Sequence, residues 1–112
     1  MSELKAKTCT PCKGGIAPMT RQEAEKYQQQ VTDWELVDDG KKITRTFKFK
    51  GYRPTVDFVN KVADLADTEN HHPDIFFGYG MCRVDINTHK IKGLHENDFI
   101  LAAKINELAD NP

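Results

Sequence analysis

The stretch WELVDDGKKITRTFKFK, residues 34–50, decides the fold. Trp34 and Leu36 flank polar Glu35, Asp39-Gly40 supplies a turn, and the run from Ile43 to Lys50 alternates in character. A period of two on both sides of a turn predicts a β-hairpin with one face toward a core. Downstream, Ile75 to Phe77, the bend Gly78-Tyr79-Gly80, and Cys82, Val84 and Ile86 alternating with Arg83 and Asp85 predict a second hairpin. Its last strand runs out at Thr88-His89.

Helical patterns surround these hairpins. Thr20 and Glu23 form a Thr-x-x-Glu capping box that opens a polar helix to about Gln30, with Ala24, Tyr27 and Val31 as its apolar edge. Pro54 suits a first turn, and Val56, Val59, Val62, Ala63 and Ala66 recur at helical spacing until about Asn70, where His71, His72 and Pro73 follow. A last helix from about Glu96 to Ala109 carries Leu101, Ala102, Ile105, Leu108 and Ala109 on one face. The order α-β-β-α-β-β-α predicts an α+β fold: a single four-stranded antiparallel sheet with three helices packed on one face. Residues 1–19 show no period and read as a flexible, loosely held N-terminal arm, leaving 20–112 as the domain.

Composition narrows the class of function. With 112 residues, 38% of them apolar, the chain supports one core and no more. Sixteen Lys and Arg against seventeen Asp and Glu give a net charge of -1, which argues against nucleic acid as a partner. No apolar run reaches the roughly 18 residues of a membrane span, and MSELKAKTCTPCKGG lacks the apolar centre of a secretion signal, so a cytoplasmic, membrane-free protein is expected. Cys9, Cys12 and Cys82 are an odd number, as in chains whose thiols stay reduced. Cys9-x-x-Cys12 has no second ligand pair, so no metal is assigned.

Three of the four histidines, His71, His72 and His89, fall where an element ends. Such positions border the core yet reach a bound molecule, and imidazole exchanges protons near neutral pH. Adjacent His71 and His72 cannot share one helical face, and Pro73 fixes the turn that aims them. Asp67, four residues before His71, is placed to orient or charge an imidazole; Asp98, in the first turn of the last helix, gains from the helix dipole and should stay ionised. His95 reads as a cap substitute. A solvated helix cap is the competing reading of the His pair.

Taken together, Asp67-x-x-x-His71-His72-Pro73, Tyr79, Thr88-His89, Gly93-Leu94 and Asp98 resemble the motif set of the pterin-4a-carbinolamine dehydratases. The resemblance runs in order through residues 16–109. Asp67 stands where many members have Glu, Ile75 where an aromatic is common, and His95 where Ser or Thr usually caps the helix. The resemblance implies removal of water from 4a-hydroxytetrahydrobiopterin without cofactor or metal, recycling the pterin of an aromatic amino acid hydroxylase, in a homo-oligomer that is a dimer or tetramer. On that basis His71 and His89 are expected as acid and base, His72 as the positioning group and Asp67 as the orienting carboxylate. Asn70, Asn87, Thr88 and Lys90 are expected to help bind the pterin, with Pro73 and Asp98 supporting. Some members also serve as dimerisation cofactors of a transcription factor, so a protein-binding module acting as a coactivator is the alternative.

Overall fold

In a computed structural model that describes residues 4–9 and 16–110, the two alternating stretches pair into one sheet. Its strands are β1 (Glu35–Val37), β2 (Lys42–Lys48), β3 (Asp74–Gly78) and β4 (Met81–Ile86), ordered β1-β2-β4-β3 with every neighbour antiparallel. The register sets Leu36 opposite Ile43, Ile43 opposite Ile86, and Phe47 opposite Cys82. Because side chains alternate along a strand, Ile43, Phe47, Cys82, Val84 and Ile86 all enter the core, while Thr46, Lys48 and Arg83 face outward. Helices α1 (Arg21–Gln28), α2 (Tyr52–Glu69) and α3 (Glu96–Asp110) cover the apolar face, giving the expected α+β architecture.

Each helix shows why its sequence folds. The capping box of α1 is formed: Glu23 N–H donates to the Thr20 hydroxyl, and Thr20 N–H donates to the Glu23 carboxylate. In α2 the buried line is Thr55, Phe58, Val62, Ala66 and Glu69, so the stripe expected from the aliphatic residues is rotated. Val56 is half-buried and Ala63 exposed. The cause is that Thr55 and Glu69 are polar but satisfied inside: the Thr55 hydroxyl donates to Gly51 O at 2.8 Å, and Glu69 has two partners described below. The first half of α3 is buried almost all round, with Phe99 stacked on Tyr27 at 5.3 Å.

Within the arm, residues 4–9 lie against the domain. Leu4 and Cys9 are buried in the core, and Lys5 and Lys7 pair with Glu107 and Glu96 of α3. A single leucine and a single cysteine carry no periodic signal, so a docked strap of this length reads as a loose arm. Cys12 lies outside the described residues.

Candidate active site

Where α2 ends, its geometry separates the adjacent histidines. Asn70 adopts the left-handed conformation (φ 53°, ψ 40°), its N–H donates to Asp67 O, and His71 N–H reaches back to Ala66 O at 3.1 Å. This is the paired closure of a Schellman motif, for which Asn is the best residue after Gly. The turn rotates His71 away from the Asp67 face. Asp67 therefore meets His72, with Oδ1 2.9 Å from Nε2, rather than orienting His71 as the four-residue spacing suggested.

His71 turns instead to the start of α3, where its Nε2 lies 2.6 Å from Asp98 Oδ1. The Asp98 carboxylate is wholly buried, and its Oδ2 accepts from the Thr88 hydroxyl at 2.8 Å and from His95 N–H at 2.9 Å. With two donors on one oxygen, the other is open to accept from an Nε2–H of His71. Asp98 also occupies the position of a capping-box carboxylate. His95 Nδ1 accepts from Asn97 N–H at 3.1 Å, so an imidazole replaces the usual hydroxyl at this cap, as its position before the helix suggested.

The strand end supplies the facing wall. Beyond β4, Thr88 N–H donates to Gly93 O at 2.9 Å, closing a loop whose tight turn His89–Ile91 leaves His89 and Lys90 exposed. Gly93 permits this closure against the segment before α1: a Cβ there would lie 2.5 Å from Pro18 Cβ. Between the two walls is a cavity of about 360 Å³. Asn70, His71 and His72 line it from the helix end, and Asn87, Thr88, His89 and Lys90 from the strand end. Pro73 is half-buried at the entry to β3, and Asp98 stands behind Thr88 and His71 without lining the space.

One cluster beside the site was not anticipated. Glu69, the last residue of α2, accepts from Cys9 N–H at 2.9 Å and from Lys104 Nζ at 2.8 Å. Burial works to raise the Glu69 carboxyl, but the Cys9 amide and Lys104 outweigh it and hold the group below its ordinary pKa. Burial, then the nearby Glu69 charge, pushes the Cys9 thiol up to about 12. Cys9 and Glu69 are separated by 60 positions, and no local pattern announces such a pair.

The arrangement resembles known proteins throughout its length. The family model for pterin 4 alpha carbinolamine dehydratase matches residues 17–108. A Methylococcus capsulatus protein provisionally named a pterin-4-alpha-carbinolamine dehydratase is 57% identical over 106 residues, which is 95% of this chain and 93% of that one. One from Halorhodospira halophila, named in the same way, is 55% identical over 94% of this chain and 96% of its own. Among solved structures, a transcriptional coactivator/pterin dehydratase from Brucella melitensis superposes with a TM-score of 0.77 at 33% identity, covering 82% of this chain and 98% of that one. The chain belongs to the pterin-4a-carbinolamine dehydratase family.

Proposed function

We propose that the protein is a hydro-lyase that dehydrates 4a-hydroxytetrahydrobiopterin to the quinonoid dihydropterin. The observation that carries this reading is that three imidazoles from two distant elements, His71, His72 and His89, share one cavity. Its volume of about 360 Å³ falls within the roughly 300–1,000 Å³ usual for small-molecule sites.

The reaction asks for two proton transfers and no change of oxidation state. An acid protonates the 4a-hydroxyl, which leaves as water, and a base removes the N5 proton, whose bonding electrons form the new C4a–N5 double bond. His71 and His89 are the acid and base pair, His72 positions the pterin, and Asp67 orients His72. Asn70, Asn87, Thr88 and Lys90 offer polar groups to the pterin ring. Asp98 sets the ring plane and tautomer of His71 from behind the wall. Each acid or base role contributes about 10²- to 10⁴-fold.

The product would return to an aromatic amino acid hydroxylase, in the cytoplasm. Among the described residues no helix is long and apolar enough to cross a membrane. A homo-oligomer, dimer or tetramer, suits edge strand β3, where Phe76 and Phe77 are about half exposed. The test is a stopped-flow assay of chemically generated 4a-hydroxytetrahydropterin. Purified protein is expected to accelerate loss of the carbinolamine, and His89→Ala to remove most of the acceleration; equal rates with and without protein defeat the proposal.

A second reading, a protein-binding coactivator module, draws on the description of the Brucella melitensis neighbour. It places contact on the outward sheet face, where Arg83 stacks on Phe76 at 4.3 Å. Under that reading Arg83→Glu weakens complex formation while His89→Ala does not.

A further inference from the structure

We infer that the N-terminal strap, residues 4–9, is part of the catalytic apparatus, with Glu69 as a positioning residue that transmits its hold to His71. The inference rests on the dehydratase reading for the role of His71. Its own observations are geometric.

Glu69 joins three segments at one point. Its backbone is the last helical residue of α2, two positions before His71; its Oε1 takes the Cys9 amide of the strap, and its Oε2 takes Lys104 of α3. The side chains of Glu69 and Lys104 are only 7% and 17% exposed, so this junction is shielded from water and from salt. The strap is anchored at both of its ends: Leu4 sits in the core, and the Cys9 thiol donates to Asn97 O at 3.6 Å. Lys7 pairs with Glu96 at 2.8 Å, beside the turn that carries Asp98.

The His71–Asp98 bond spans α2 and α3, and its length depends on how the last turn of α2 sits against the first turn of α3. Asn70 is left-handed, and the backbone bonds that close its turn run back to Ala66 and Asp67 within α2, so they do not tie that turn to α3. Glu69 does, because it is held from both the strap and α3. A displacement of a catalytic group by about an ångström is enough to cost up to about 10²-fold in rate. A bond to the strap therefore acts on the chemistry without touching substrate.

Two double variants separate this role from plain stability. Glu69→Leu with Lys104→Met replaces the buried pair by apolar groups and removes the acceptor of the Cys9 amide. Glu69→Gln with Lys104→Met also discards the ion pair but keeps a carbonyl oxygen for that amide. The first is expected to lower kcat about tenfold with KM within about twofold, and to broaden or abolish the proton resonance of His71 Nε2–H bonded to Asp98. The second is expected to restore both to near the wild-type values. Equal behaviour of the two variants, or a folded Leu/Met protein with an unchanged His71 resonance, overturns the inference. Should the Leu/Met protein fail to fold, amide exchange of the wild-type chain decides. Cys9 N–H and His71 N–H are expected to exchange through a common opening, and a Cys9 amide about 100-fold less protected refutes the strap. The resonance and exchange readouts stand apart from turnover, so an inactive wild type refutes the dehydratase reading and with it the catalytic role, while an unchanged His71 resonance in the Leu/Met protein refutes the link from the strap to His71.

Discussion

Two histidine–aspartate pairs sit a few residues apart and differ in almost everything but composition. In His71–Asp98 the nitrogen–oxygen distance is 2.6 Å and the side chains are 11% and 0% exposed; in His72–Asp67 it is 2.9 Å and they are 58% and 81% exposed. The first pair links two helices across 27 positions and shares its carboxylate with Thr88 and the cap of α3. The second links neighbours on one turn. Water and salt compete freely with an exposed pair, which contributes at most about 1 kcal/mol, whereas a buried carboxylate cannot give up its donors without cost. Adjacent identical residues thus end in different surroundings, because the left-handed Asn70 turns one imidazole inward to a buried carboxylate and leaves the other on an exposed one.

The sharpest way to break this contrast is to delete the inner ring. His71→Ala is expected to lower kcat by about 10²- to 10⁴-fold in the stopped-flow assay, and a loss under tenfold would erase the distinction between the pairs. Next comes Asp98→Ala, which strands the Thr88 hydroxyl and His95 amide and strips the α3 cap. A loss of about 3–5 kcal/mol is expected from urea denaturation. The junction at Glu69 gives a smaller, pH-dependent effect. Its carboxyl is held below the unfolded value, so its contribution is present above about pH 4.3 and is lost as pH falls through the lower folded value. The urea midpoint is expected to drop on that acid limb in the wild type and to drop less in the Glu69→Gln, Lys104→Met variant. Smallest of all, Asp67→Asn is expected to cost less than about 1 kcal/mol in stability and to alter KM no more than about threefold.

The sheet was legible because its information is local: a two-residue period at Ile43–Lys48 and Cys82–Ile86 assigns inside and outside without knowledge of the partner strand. The inward face of α2 was legible at Val62, Ala66 and the partly buried Val59, but Thr55 and Glu69 enter the interior on the strength of partners that a hydropathy pattern does not register. The cavity-lining residues followed from element ends together with the family resemblance. What stayed hidden was pairing at a distance. Asp67 stands one helical turn before His71, yet the left-handed Asn70 diverts that ring to Asp98, and a backbone reversal of this kind leaves little mark beyond an Asn before the histidines. The strap was missed for the same reason, its bond to Glu69 joining residues 60 positions apart, far beyond the reach of a local pattern.

Gly93 illustrates how a residue with no chemistry of its own becomes indispensable. It carries no side chain and titrates nothing, but its bare Cα leaves the gap in which Pro18 packs against the loop presenting His89. In a saturation mutagenesis screen scored by turnover, position 93 is expected to tolerate substitution about as poorly as a histidine of the pocket.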